Sequence, residues 1–237
     1  MNHRSLWLAF GVVLCGFSAH AEQSAEIQAG MEALERQNSA EAIALFNQVL
    51  KEKNLPPEQR AAAFAGRCAA HYQRHAGSKN MQQVLADCNQ AIALQSDHAP
   101  AYRWRGLAHL ATGKMAEALA DLNVAIALEP KDYLAIQNRG AVRIRLNQWE
   151  QAMADLNAAI QLTADHPGSY YYRGQLHALQ QHHDQAVADF NVFFQMIQKD
   201  DSLSQRAEKS RLLQGEDPLS KAATQKALAM QPSRGVV

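Results

Sequence analysis

Apolar residues recur along this chain in short runs at helical spacing. Between 99 and 132 one run is Tyr102, Leu107 and Leu110, and the next is Met115, Ala118, Leu119, Leu122 and Ile126. Steps of three and four residues lay each run along one side of a helix, so each predicts one amphipathic helix. Only Thr112-Gly113-Lys114 separates them. So short a link predicts antiparallel neighbours. Gly106 and Ala118 are small, which lets the two backbones approach.

The pattern returns at a fixed step. Asp-x-Asn occurs at Asp87/Asn89, Asp121/Asn123, Asp155/Asn157 and Asp189/Asn191, each 34 residues after the last. Arg105-Gly106, Arg139-Gly140 and Arg173-Gly174 keep the same step. Ala-Ile-Ala-Leu or a close variant follows at Ala91 to Leu94, Ala125 to Leu128 and Ala159 to Leu162. Three markers sharing one period define an internal repeat.

A 34-residue unit of two helical runs resembles the tetratricopeptide repeat (TPR) family. With Ala99 at position 1, Tyr102 falls at 4, Gly106 at 8, Ala118 at 20, Leu122 at 24, Ala125 at 27 and Pro130 at 32. Those are the family's signature positions. The unit from Tyr133 has Gly140, Ala152, Leu156 and Ala159 in place, with Ala164 where proline is usual. The unit from Pro167 has Tyr170, Gly174, Ala186 and Phe190, with Phe193 at a usually small position. Two earlier units span 23–56, with Gly30, Ala42 and Phe46, and 61–98, with Phe64, Arg67 and Cys68. The second needs a four-residue insertion around Gly77-Ser78-Lys79-Asn80. Five repeats thus fill 22–200, at 23–56, 61–98, 99–132, 133–166 and 167–200. Residues 201–232 keep phase through Ala227 to Pro232 but carry Glu208 and Ser220 at small positions. They read as a degenerate sixth helix pair or cap, followed by a disordered tail at 233–237. The resemblance implies an all-α fold, a right-handed α-solenoid of stacked antiparallel helix pairs. Each pair then buries its faces only against its neighbours.

The first 21 residues stand apart. His3 and Arg4 precede an apolar or small stretch from Ser5 to Phe17, and Ala19-His20-Ala21 is small-x-small. This is the pattern of a cleavable signal peptide at 1–21. The stretch is well short of the roughly 20 residues that span a bilayer. A lipid anchor at Cys15 wants a small residue before it, and Leu14 stands there. The expected location is the periplasm of a Gram-negative cell, with an envelope-anchored form as the alternative.

Charge adds an exclusion. Lys and Arg number 23, as do Asp and Glu. Loss of Arg4 with the signal leaves one net negative charge. A nucleic-acid partner calls for a basic excess, so none is expected. No phosphate-binding loop, nucleophile elbow or His-Glu-x-x-His motif is present, and no catalytic residue, cofactor, metal or small-molecule substrate is expected. His71, His109 and His177 hold one position in three repeats. Shared metal ligands sit ~2 Å from the ion, so equivalent positions of separate repeats do not suit one; these read as packing residues. Arg67/Asp87, Arg105/Asp121, Arg139/Asp155 and Arg173/Asp189 recur together. Four copies read as structural ion pairs rather than active sites, with Arg143 beside them read as a surface residue. Cys68 and Cys88 fall on two packed helices of one repeat. They are either a disulfide suited to an exported chain or two buried thiols.

The resemblance also implies a groove lined by first helices. It selects Arg103, Trp104, Gln137, Asn138, Arg145, Tyr171, Tyr172 and Gln175. The implied function is a non-catalytic scaffold or adaptor of the cell envelope that binds protein or peptide partners. The alternative is a periplasmic peptide-binding chaperone or substrate receptor. Membrane association is expected to be indirect only, and self-association stays open.

Overall fold

The structure, a computed structural model, describes residues 25–75 and 81–199. The signal reading at 1–21, the insertion at 77–80, the sixth pair at 201–232 and the tail at 233–237 lie outside the described residues. The described residues form ten helices and no strand. They are α1 (25–35), α2 (Ser39–Leu50), α3 (Pro57–Arg74), α4 (Gln82–Leu94), α5 (Ala99–Ala111), α6 (Met115–Leu128), α7 (Tyr133–Arg145), α8 (Trp149–Leu162), α9 (Pro167–Leu179) and α10 (His183–Lys199). No described helix is long and apolar enough to cross a membrane. The fold is an all-α solenoid of antiparallel helix pairs, in which α2 packs on α3, α3 on α4, and each of α6 to α9 on the helix that follows it.

The turn inside a repeat has one recurring device. Gln37, Gly113, Asn147 and Gln181 all have left-handed φ, between 56° and 79°. After Gly113, Lys114 N–H donates to His109 O, and Gly113 N–H donates to Leu110 O. The other three turns repeat that pair of bonds. This is the Schellman closure, which satisfies the carbonyls left open at a helix end. Glycine favours the position, but the closure imposes the same conformation on Gln and Asn.

The described residues fall into two compact units, 25–75 with 82–101, and 81 with 102–199. In the first, Phe46 of α2 is fully buried among Ala33, Ala42, Val49, Leu55, Ala63 and Ala70. Its ring lies between two glycines on different helices. A Cβ on Gly30 would meet the ring at 2.7 Å, and one on Gly66 would overlap it more closely. Gly66→Ala sets a helix-propensity gain of about 1 kcal/mol against an overpacking cost of about 1–3 kcal/mol. With the ring wedged from both sides, the cost should win, lowering the urea midpoint of unfolding.

In the second unit, α5 to α8 pack through Ala118, Leu122, Ala125, Ala135 and Val142, then Ile144, Ala152 and Leu156. The α9–α10 pair is aromatic: Tyr171, Phe190, Phe193 and Phe194 are all within 2% of full burial. Phe193, at the usually small position, lies 5.3 Å from the Tyr171 ring and 5.1 Å from Phe194. The extra ring draws Tyr171 inward.

Candidate binding surface

The recurring ion pairs hold the helices that carry the surface. Arg67 on α3 grips Asp87 on α4 through Nε and Nη2, at 2.8 and 2.6 Å. Arg105 grips Asp121 the same way at 2.9 and 2.7 Å, Arg139 grips Asp155 at 3.0 and 2.8 Å, and Arg173 grips Asp189 at 2.8 and 2.7 Å. These are bidentate pairs with buried carboxylates, the strong form of the interaction. The bond to Asp121 holds Arg105 charged above its ordinary range, and Asp189 does the same for Arg173.

The third guanidinium edge leaves the repeat. Arg67 Nη1 donates to Asn47 at 2.7 Å, Arg139 to Asn123 at 3.0 Å and Arg173 to Asn157 at 2.8 Å. In each case the Asn is on the second helix of the preceding repeat. Asp-x-Asn therefore has two duties. Its Asp holds the arginine of its own repeat, and Asn123 and Asn157 hold that of the next. Arg67, Arg105 and Arg173 also lie over Phe64, Tyr102 and Tyr170, at 5.3, 5.3 and 5.4 Å from the ring centres. Sequence reasoning finds the pairs but misses both the Asn stitch and the aromatic shelf.

Arg143 corrects the sequence expectation. It is no surface residue: its Nη1 lies 2.6 Å from Asp155 Oδ2, and its side chain is 18% exposed. Asp155 thus holds two arginines. Cys68 and Cys88, the two open cysteines, form a disulfide with Cα atoms 5.5 Å apart.

The groove residues separate into two groups. Four are tied inward. Gln137 is 4% exposed, and its Oε1 accepts from Ser169 Oγ at 3.0 Å and sits 3.0 Å from His166 Nδ1. A Cβ on Gly168 would press on the same amide. Gln137 is therefore a clamp between α7 and the start of α9, not a groove contact. Tyr171 is 2% exposed and belongs to the aromatic cluster. Gln175 donates to the Tyr171 hydroxyl at 3.0 Å. Arg103 pairs with Asp132 at 2.8 Å, with its guanidinium 4.8 Å above Trp104. Asp132 also caps α7 by accepting from Ala135 N–H, so this pair orients α5 against α7. Spacing alone cannot show any of this, since each partner lies in another repeat or outside the repeat's marker positions.

The second group is Trp104, Asn138, Arg145 and Tyr172. Trp104 and Tyr172 are half-buried and Arg145 is exposed. Asn138 is 7% exposed. Tyr172 packs edge-on against Tyr171, 5.6 Å between centres. Two aromatic faces, an amide and a cation come from three successive first helices. Among the described residues, no group of three His, Cys, Asp or Glu side chains is placed to hold a metal.

An all-α repeat protein built of stitched helix pairs defines the class. Within that class, profiles described as tetratricopeptide repeat match residues 27–78 and 72–132, and one described as TPR repeat matches 140–181. Together they span more than half of the chain, which belongs to the TPR family. No curated protein matches it in sequence. Solved structures similar to it include TTC0263, a thermophilic TPR protein of Thermus thermophilus, at 20% identity and TM-score 0.63 over 81% of this chain and 100% of that one. PilF of Pseudomonas aeruginosa is similar at 18% identity and TM-score 0.62, over 89% and 99%. MamA of Desulfovibrio magneticus RS-1 is similar at 17% identity and TM-score 0.56, over 76% and 97%. At such identities the likeness concerns the fold. TPR proteins as a class are protein-interaction scaffolds and generally non-catalytic.

Proposed function

We propose that this protein is an adaptor of the cell envelope that holds an extended segment of a partner protein on the concave face of its repeats, around Trp104, Asn138, Arg145 and Tyr172. The observation that carries this is that Trp104, Asn138, Arg145 and Tyr172 come from three successive first helices, α5, α7 and α9. An extended peptide backbone offers the Asn138 amide both a donor and an acceptor. Trp, Tyr and Arg around it are the side chains favoured as interface anchors. Export is supported by the Cys68–Cys88 bridge, because disulfides persist in oxidising compartments.

The test is capture of partners from envelope extracts with immobilised protein. Trp104→Ala, Asn138→Ala and Tyr172→Ala are combined, with helicity checked by circular dichroism. Loss of one anchor of about 2 kcal/mol weakens binding about thirtyfold. The triple variant should therefore stay helical and lose its partner. Undiminished capture would refute the assignment of this face.

A further inference from the structure

Histidine holds one place in three repeats: His71 on α3, His109 on α5 and His177 on α9. Their Nε2 atoms lie 3.8, 3.7 and 3.9 Å from Oδ2 of Asp87, Asp121 and Asp189. That is beyond hydrogen-bond length. The same oxygens already accept from the Nε atoms of Arg67, Arg105 and Arg173. The opposite ring nitrogen, Nδ1, is buried and without a hydrogen-bond partner among the described residues in all three. The side chains are 12%, 15% and 13% exposed.

A neutral ring suits this setting. With the hydrogen on Nε2 facing the carboxylate, Nδ1 is a bare lone pair, and leaving it unpaired costs less than leaving a charged N–H unpaired. A second proton would turn Nδ1 into a buried N–H donor with no acceptor among the described residues, on a ring that already feels the charge of a guanidinium. Leaving such a group unmatched is costly. The fourth repeat is the internal contrast. There Arg143 stands in place of histidine and bonds Asp155 directly.

We propose that His71, His109 and His177 form an acid-sensing series in which proton uptake at Nδ1 loosens the second, third and fifth repeats while the fourth stays closed. The surrounding charges agree. Burial is the largest influence on each ring and pushes its pKa below the ordinary value. For His71, Asp87 of α4 opposes this, while Arg67, His75 and Arg74 add to it. Glu41, the one ionisable group of α2, is turned to Arg36 and Asn38. For His109, Asp121 and Glu117 of α6 oppose, while Arg105 and Lys114 add. For His177, Asp189 of α10 opposes, while Arg173 and His182 add, and Glu150 of α8 lines the same cleft. A folded pKa below the unfolded one means that the unfolded chain takes the proton first. Stability is then full above about pH 6.5, the unfolded value, and falls as pH drops toward the folded value.

The test is the urea midpoint of the whole mature chain at pH 7.5, 6.5 and 5.5, read by circular dichroism. That window stays above the ordinary carboxylate range of about 4. The wild-type midpoint should fall on acidification. In the combined His71→Gln, His109→Gln and His177→Gln variant the fall should be largely abolished, whatever its absolute midpoint. Arg143→His should steepen it. Equal slopes in the wild-type and triple variant would overturn the proposal, as would a wild-type midpoint that rises in acid relative to the variant. Should the triple variant not fold, imidazole NMR of the unaltered protein decides. Three rings titrating below about 6.5 support the proposal, and three at or above it refute it.

Discussion

Asp155→Ala is expected to be the most damaging single change in the described residues, costing about 3–5 kcal/mol, the range for orphaning a buried ion. Asp155 is 4% exposed and accepts from Arg139 twice and from Arg143 once. Its removal strands two guanidiniums whose side chains are only 19% and 18% exposed. The order within the cluster follows from what is left behind. Arg139→Ala leaves Asp155 one partner, Arg143, and should cost less. Arg143→Ala leaves the bidentate Arg139 pair intact and should cost least. Asp121→Ala is the control between repeats, because Asp121 holds one arginine, Arg105, where Asp155 holds two. Urea unfolding of the four variants checks the order. An Asp155→Ala protein within about 1 kcal/mol of the parent would contradict the assignment of the pair as buried and structural.

The 34-residue period and the helix pairs are legible in the sequence because the packing that sets them is local. Gly106, Gly140 and Gly174 each meet a large apolar residue 16 positions on, Leu122, Leu156 and Phe190, and such a pairing leaves the same mark in every copy. The surface is less legible because facing and availability differ. The repeat position assigns Gln137 and Tyr171 to the groove. Yet Ser169, His166 and Gly168 close over one, and Phe193 gathers in the other. Each closing partner belongs to a single repeat, so no period reveals it. Arg143 escapes notice for the converse reason. Three repeats carry histidine at its position, and only the structure shows that the arginine reaches the carboxylate that the histidines merely approach.

Removing the bridge with Cys68→Ala and Cys88→Ala is expected to cost about 3 kcal/mol, from the entropy released to an unfolded loop of roughly 20 residues. Both cysteines are fully buried, and they stand 20 residues apart on α3 and α4. Their place explains what the bridge replaces. Position 8 of a repeat is Gly in α5, α7 and α9, and position 24 is Leu or Phe in α6, α8 and α10. The second repeat has Cys at both, so a covalent bond stands where its neighbours have a Gly–Leu contact. That repeat also carries extra residues between its helices, which lengthens the loop a non-covalent contact would have to close. Alanine at both sites loses the bond and fills neither side of the gap. Cys68→Gly with Cys88→Leu should recover part of the loss, by restoring the contact seen between Gly140 and Leu156. Hydrogen exchange locates the effect. Amides of α3 and α4 should lose protection in the alanine variant, while those of α7 and α8 keep theirs. Equal protection of α3 and α4 with and without the bridge would show that packing alone closes the repeat.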